Sequence, residues 1–209
     1  MSGPFRKITK ERKSEMKKRV LSMLLSAGWD IVLSQGSFTY NGKEQKPSIL
    51  SIWGLPLAEG TDYEAAWPDN GSKAAGTYEV TVTGKGRYTG TTGAVYKIGK
   101  AANTLKVRGK PAIVRYSRVK KKTQILKASK LYKFTSKGQG KMTYKYYSAK
   151  KGTKSFKKSF KVNAKTGSLT VRKGLKKGTY KVTVKVKAAG NTNYKASSYK
   201  TVTITVRVK

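Results

Sequence analysis

Lysine is the residue type of this sequence best suited to a binding chemistry. Ten lysines stand close together in short groups in the second half of the chain: Lys120, Lys121, Lys122, Lys150, Lys151, Lys154, Lys157, Lys158, Lys176 and Lys177. Ammonium groups at this density attract the phosphate, carboxylate or sulfate groups of polyanions. The same lysines are also typical of a solvated face that prevents sheet edges from pairing with other chains. Both interpretations stay open at this point.

A group of tyrosines lies beside these lysines. Tyr144, Tyr146 and Tyr147 interleave with Lys145, a combination on which nucleic-acid bases can stack. Because side chains alternate along a strand, Tyr144 and Tyr146 would share one face, and we expect at least one of them in the core.

Enzymatic chemistry has little support. Cysteine and histidine are absent, which removes thiolate nucleophiles, imidazole bases and the commonest zinc ligands. Asp62, Glu64 and Asp69 lie close in sequence, but nothing indicates the cleft that a glycosidase pair requires. The stretch Gly84–Gly90 looks like a phosphate-binding loop, yet a strand-to-strand turn is expected because no helix follows. We therefore predict no catalytic, cofactor-binding or metal-binding residue, and no enzyme.

The charge of the chain is distributed unevenly. Lysine and arginine outnumber aspartate and glutamate by 47 to 9, and the net charge is +38. All acidic residues lie at or before Glu79, so residues 80–209 carry only cationic side chains. This half should attract nucleic acid, anionic wall polymers or acidic glycans, at some cost in self-repulsion.

Short β-branched and aromatic runs, broken by glycine, proline and asparagine, predict an all-β fold with two tandem immunoglobulin-like antiparallel β-sandwich domains. We expect a tail or short helix over residues 1–28, one domain over 29–99 and a second over 100–209. Expected strands of the first domain are Ile31–Leu33, Ser37–Tyr40, Ser48–Trp53, Tyr63–Trp67, Gly76–Thr83 and Ala94–Ile98. Those of the second are Leu105–Val107, Ala112–Tyr116, Gln124–Ala128, Met142–Ser148, Phe160–Val162, Ser168–Val171, and two long strands near 180–187 and 201–208.

The last two strands show the clearest alternation. Tyr180, Val182, Val184 and Val186 alternate with lysine or threonine, and Val202, Ile204, Val206 and Val208 do the same near the end of the chain. One face of each strand is therefore expected in the core and the other in water.

The two domains share a local sequence. Gly76–Val82 reads Gly-Thr-Tyr-Glu-Val-Thr-Val, and Gly178–Val184 reads Gly-Thr-Tyr-Lys-Val-Thr-Val. In immunoglobulin-like sandwiches a tyrosine two residues before a core position hydrogen-bonds to upstream backbone. We expect Tyr78 and Tyr180 to form this structural corner, with Val80 and Val182 in the core.

Two stretches of the chain resemble known bacterial modules. The motifs Leu33–Lys43, Glu59–Tyr63 and Thr83–Thr91 resemble MBG-type repeats of surface proteins, over nearly all of the first domain. The stretches Phe160–Val171, Gly174–Tyr180 and Ala188–Tyr194 resemble the lysine-rich, immunoglobulin-like or cadherin-like domain that closes such Gram-positive proteins. The resemblance implies an extracellular spacer or adhesive role. It does not carry over calcium, because the second domain lacks the carboxylates that calcium needs.

The N-terminal stretch resembles a secretory signal. Basic residues at 17–19 precede a short apolar run over residues 20–27, so we interpret 16–27 as a signal-like segment that is truncated or a short amphipathic helix. No stretch is long enough to span a bilayer.

These observations lead to one functional prediction and one alternative. The prediction is a non-catalytic cell-surface, wall-associated or secreted module, monomeric within a larger multidomain parent, which binds anionic wall polymers or glycans through its lysines and nucleic acid only non-specifically. The alternative is an intracellular, basic nucleic-acid-binding protein, favoured by the pI of about 10.4.

Overall fold

The computed structural model describes residues 30–68 and 72–209. The expected signal-like segment and Asp69 lie outside these residues. Contacts between backbone positions divide the chain into two compact units, of which the first ends at Lys100 and the second is Ala101–Lys209. Both units consist mainly of β-strands, which confirms the all-β, immunoglobulin-like fold class.

The first unit contains two sheets. Its strands are β1 (Ile31–Leu33), β2 (Ser37–Thr39), β3 (Ile49–Ile52), β4 (Tyr63–Ala66), β5 (Gly76–Gly84) and β6 (Thr91–Gly99). Strands β1 and β3 form an antiparallel pair, and the other four form a sheet in the order β2-β6-β5-β4. Strand β2 is parallel to β6. Ile52, Tyr63, Val80 and Val82 are buried together at the centre of this unit.

The second unit has a larger set of strands. They are β7 (Lys106–Gly109), β8 (Ala112–Val114), β9 (Gln124–Leu126), β10 (Tyr132–Ser136), β11 (Met142–Lys151), β12 (Lys154–Ser155), β13 (Phe160–Val162), β14 (Leu169–Val171), β15 (Gly178–Ala188) and β16 (Lys200–Val208). Two short helices, α1 (Tyr116–Lys121) and α2 (Ala128–Leu131), and a 3-10 turn at Lys157–Ser159 connect them.

These strands pack as a sandwich. One layer is a five-stranded sheet in the order β12-β11-β15-β16-β8, in which β8 is parallel to β16. The other layer consists of the sheet β13-β14-β9 and the pair β10-β7. Inward side chains of both layers, including Val182 and Ile204 from the large sheet and Leu169 and Leu131 from the other side, belong to one buried cluster.

The long strands follow the predicted alternation. Tyr180, Val182, Val184 and Val186 are buried on β15, and Val202, Ile204, Val206 and Val208 are buried on β16. Each fully buried valine or isoleucine contributes roughly 1.5 to 3 kcal/mol relative to an exposed one. This pair of neighbouring strands therefore supplies a large part of the stability of the second unit.

The structure differs from the sequence interpretation near two short helices. The strands expected at Ala112–Tyr116 and Gln124–Ala128 end at Val114 and Leu126. The chain turns into α1 because Val119 is then completely buried, and into α2 because Leu131 is. The strand β10, which follows α2, was not expected.

Two glycines permit a close backbone crossing in the second unit. Gly140 and Gly190 form an isolated parallel bridge, and both have positive φ angles of 84° and 77°. A Cβ atom on Gly140 would collide with the carbonyl oxygen of Gly190. Glycine is required here for its conformation and for its lack of a side chain.

Both units contain the same tyrosine corner. The Tyr78 hydroxyl donates to the carbonyl oxygen of Ala74 at 2.8 Å, and the Tyr180 hydroxyl donates to that of Lys176 at 2.8 Å. Tyr180 is buried against the rings of Phe156 and Phe160, with centroids 4.9 and 5.7 Å away. Burial raises the pKa of Tyr180 above its usual value, so the hydroxyl keeps its donor proton.

Other buried tyrosines lack such a bond. The Tyr132 hydroxyl is buried and has no hydrogen-bond partner among the described residues, although its ring lies 5.2 Å from that of Tyr144. Burial, and secondly the nearby Tyr144, raises the pKa of Tyr132. Burial also raises the pKa of Tyr144 and of Tyr146. The Tyr132 and Tyr146 hydroxyls carry the cost of desolvation without a compensating bond, because neither has a hydrogen-bond partner among the described residues.

The second unit should fold without the first. A chain of residues 101–209 contains the whole core cluster around β15 and β16, so we expect it to unfold cooperatively in urea, with the circular-dichroism spectrum of a β-protein. A broad, non-cooperative transition would show that this core depends on residues before Ala101.

Removal of one hydroxyl should distinguish the two kinds of buried tyrosine. We expect Tyr180→Phe to lower the free energy of unfolding by about 1 kcal/mol, because a hydrogen bond is lost. Tyr132→Phe should change it by less than about 0.5 kcal/mol or raise it, because no bond is lost. Lys181→Ala, an exposed change on β15, serves as the control. Equal losses for the two tyrosines in urea melts would contradict this assignment.

Candidate polyanion-binding site

The ten candidate lysines all lie at one end of the second unit, which we call the basic end. It consists of the start of β15, the ends of β8, β11, β14 and β16, the helix α1, the short strand β12 and the 3-10 turn. Pairing of Gly178 with Val208, of Val208 with Val114, and of Lys150 with Lys181 places these segments side by side. These short groups of lysines lie far apart in the sequence, and register between distant strands brings them together.

The β11-β12 hairpin forms one side of the basic end. Lys150 and Lys151 pair across it with Ser155 and Lys154. The Lys151 ammonium donates to the carbonyl oxygen of Lys177 at 3.2 Å and lies 5.8 Å from the centre of the Tyr180 ring. The tyrosine corner therefore positions this lysine as well as the backbone.

The helix α1 forms the opposite side. Its Val119 carbonyl accepts from Gly174 N–H at 2.9 Å, and the side-chain oxygen of Thr123 accepts from Lys173 N–H at 3.3 Å. The Lys177 ammonium lies 5.7 Å from the centre of the Tyr116 ring. These contacts bring Lys120, Lys121 and Lys122 next to the loop that carries Lys176 and Lys177.

The 3-10 turn completes the basic end with Lys157 and Lys158. Arg172 N–H donates to the carbonyl oxygen of Ser159 at 2.9 Å, which joins this turn to the end of β14. Phe156 immediately precedes this turn, and its ring packs against the buried Tyr180 ring, which attaches the turn to the core.

The electrostatics of the basic end are one-sided. All ten lysines are exposed, and the second unit contains no acidic side chain that could neutralise them. The C-terminal end of α1, where Arg118, Lys120 and Lys121 lie in the last turn, favours cations through the partial negative charge of its carbonyl groups. The site can attract and hold an anionic polymer, because several ammonium groups can each meet one charge of it.

Sequence interpretation missed several cations of this site. Exposed Arg118, Arg172, Lys173, Arg207 and Lys209 lie on the same segments as the ten lysines. Their position in the sequence, next to the lysine groups and at the ends of predicted strands, could have indicated that they belong to the same site.

The other candidate residues have structural roles. The backbone of the Gly84–Gly90 stretch connects β5 to β6 as a turn, in which Gly84 N–H donates to the Gly90 carbonyl at 2.9 Å. Asp62 accepts from Ala58 N–H at 3.0 Å within its own turn. Glu64 pairs with Lys85 at 2.6 Å, and the hydrogen bond from Lys85 lowers the pKa of this exposed carboxyl. Within residues 30–68 and 72–209, no three His, Cys, Asp or Glu side chains gather as metal ligands.

The tyrosines beside Lys145 separate into two environments. Tyr144 is buried and Tyr146 half-buried on the core side of β11, while Tyr147 is exposed on the outer side.

Among the described residues, no helix has the length and apolar character needed to cross a membrane.

Comparison with known proteins gives a limited result. No protein-family model and no curated protein matches the chain. Similar solved structures include human mucin-like protocadherin EC1-2, with 10% identity, a TM-score of 0.43, and coverage of 86% of this chain and 98% of that one. The human desmocollin-1 ectodomain has 14% identity, a TM-score of 0.41, and coverage of 87% and 39%. Mouse protocadherin PcdhgC3 EC1-3 has 12% identity, a TM-score of 0.38, and coverage of 86% and 68%. At these TM-scores the likeness carries no argument about function, and the MBG-type resemblance stays a prediction.

The unneutralised basic end should destabilise the second unit at low salt. Screening of the repulsion should raise the urea midpoint of residues 101–209 between about 20 and 300 mM NaCl, since the Debye length shortens over this range. Replacement of Lys120, Lys121 and Lys122 by Gln should reduce this salt effect. A midpoint that does not change with salt would mean that the lysines are too far apart to repel each other measurably.

Proposed function

We propose that this chain is a non-catalytic, immunoglobulin-like module of an extracellular or cell-surface protein, where it serves as a spacer or adhesive segment and binds anionic polymers through the basic end. The observation that carries the proposal is the gathering of the ten lysines at one end of a unit without acidic side chains.

The composition of the basic end supports binding by charge rather than by shape. Lysine is a compact, mobile point charge, whereas arginine is preferred for bidentate recognition of phosphate and bases. Lysine dominates here. Affinity from such contacts comes from release of counterions, so it is steeply salt-dependent and poorly selective.

The extracellular location rests on sequence features. The signal-like segment 16–27 and the motifs that resemble MBG-type repeats both favour it. The parent protein would then present this module as a monomeric unit near anionic wall polymers or acidic glycans. The intracellular nucleic-acid-binding protein is the alternative that the following experiment must separate from this proposal.

Binding of several polyanions should respond alike to loss of the basic end. We expect the full chain to bind heparin, teichoic-type polymers and double-stranded DNA, with log affinity falling linearly with log salt. Lys120→Gln, Lys121→Gln and Lys122→Gln together should weaken every polyanion and flatten the salt slope by up to about one unit per lost contact. Fluorescence anisotropy in a salt series measures both quantities.

A matched variant controls for total charge. Lys137, Lys141 and Lys165 are exposed at the opposite end of the second unit, since the Ala164 carbonyl accepts from Tyr144 N–H near the start of β11. Their replacement by Gln removes the same charge and should have a smaller effect. Equal effects of the two triple variants would refute a localised site. A DNA sequence preference of about 1000-fold or more would favour the intracellular alternative, and no binding at about 50 mM salt would leave a plain spacer.

A further inference from the structure

A second surface of the second unit differs in chemistry from the basic end. It is the part of the outer, water-facing side of the five-stranded sheet that lies away from the basic end, and we call it the tyrosine-threonine face. Its members are Thr143, Lys145 and Tyr147 from β11, Thr183, Lys185 and Lys187 from β15, Tyr199 just before β16, and Thr201 and Thr203 from β16.

Two large aromatic rings are exposed on this face. Tyr147 is 62% exposed and Tyr199 is 51% exposed. The register between β11 and β15 shifts between Tyr146 and Ser148, so Tyr147 is the extra residue of a β-bulge and has no partner on β15. Bulges commonly redirect a side chain at functional positions.

Two lysines of the central strand, β15, contact these rings. The Lys185 ammonium lies 4.7 Å from the centre of the Tyr147 ring, and the Lys187 ammonium lies 5.4 Å from that of Tyr199. Such cation-π contacts favour one orientation of a ring. Because more than half of each tyrosine stays exposed, each ring presents aromatic surface to a ligand.

Rows of hydroxyl groups complete the face. Thr201 pairs with Lys185, and Thr203 pairs with Thr183, so the threonines lie directly beside the lysines across β15 and β16. Thr143 pairs with Lys187 on the other side. A ligand on this face meets hydroxyl groups, ammonium groups and aromatic rings together.

We propose that the tyrosine-threonine face binds a linear acidic polysaccharide. The rings suit the apolar C–H faces of sugar rings, the threonines suit sugar hydroxyls, and the lysines complement the carboxylate or sulfate groups. The proposal does not depend on the basic end, which lacks exposed aromatic rings among the residues that define it.

The composition of the face favours this ligand over nucleic acid and protein. Its cations are lysines, whereas phosphate recognition favours the planar guanidinium of arginine. The two rings come from strands on either side of β15 and from positions about three residues apart along it, which places them on the order of 14 Å apart, too far for two adjacent bases to stack on them. A protein partner would require a continuous apolar centre, but lysines lie between these rings.

The test compares binding of polygalacturonate, fully methyl-esterified polygalacturonate, oligo(dT) and double-stranded DNA to the full chain in about 300 mM NaCl, where contacts by charge alone are screened. We expect Tyr147→Ala with Tyr199→Ala to weaken polygalacturonate at least about tenfold, a loss that two ring contacts can produce. The pair Tyr147→Phe and Tyr199→Phe should keep the affinity, because the rings remain. The esterified polymer should bind more weakly than the acid.

The controls separate this surface from the basic end. Leu50→Ala with Ile125→Ala removes two apolar side chains that are 58% and 69% exposed elsewhere, and should leave binding unchanged. The triple glutamine variant at Lys120, Lys121 and Lys122 should weaken double-stranded DNA when binding is measured at about 50 mM NaCl, where contacts by charge are strong, and the alanine pair should not. Unchanged polygalacturonate affinity in the alanine pair, or no binding by the wild-type chain, would overturn the proposal. A larger loss for oligo(dT) than for polygalacturonate would also overturn it, in favour of a single-stranded nucleic-acid surface. None of these results decides whether the basic end binds polyanions, because the triple glutamine variant tests that separately.

Discussion

Burial of the inward side chains of β15 is the interaction on which the second unit depends. Val182, Val184 and Val186 are completely buried, and β15 lies between β11 and β16 in the middle of the five-stranded sheet. Because no carboxylate is available in this unit to neutralise a buried cation, every lysine on the strand must face water. The same alternation therefore produces the core on one side and the cationic and hydroxyl-bearing surface on the other.

The regular strands could be predicted from the sequence because their signal is local. Val202 and Ile204 reveal their face through alternation alone, and the repeated Gly-Thr-Tyr motif indicates the hydrogen bonds that the Tyr78 and Tyr180 hydroxyls make. The helices α1 and α2 have only six and four residues, too few to show a helical period. Their presence depends on the burial of Val119 and Leu131, which the whole fold decides.

The two candidate surfaces were harder to predict from the sequence than the regular strands. The gathering of lysines depends on register between distant strands, such as Lys150 opposite Lys181, and local patterns do not specify it. Tyr147 could be separated from Tyr144 by alternation, but its contact with Lys185 requires the bulge in β11. Tyr199 lies in an irregular segment, where no periodicity indicates which side chains are exposed.

The absence of acidic and histidine side chains after Glu79 also determines how the second unit responds to acid. Acid denaturation proceeds mainly through carboxylates and histidines that take up protons as the pH falls. This unit has no aspartate, glutamate or histidine side chain, the types that take up a proton between neutral pH and about pH 2. Its side-chain charge is therefore the same in a neutral and in a strongly acidic medium, so acidification alters its attraction to a polymer only through the ionisation of that polymer. A module of this kind keeps its cationic surface when the surrounding medium becomes acidic.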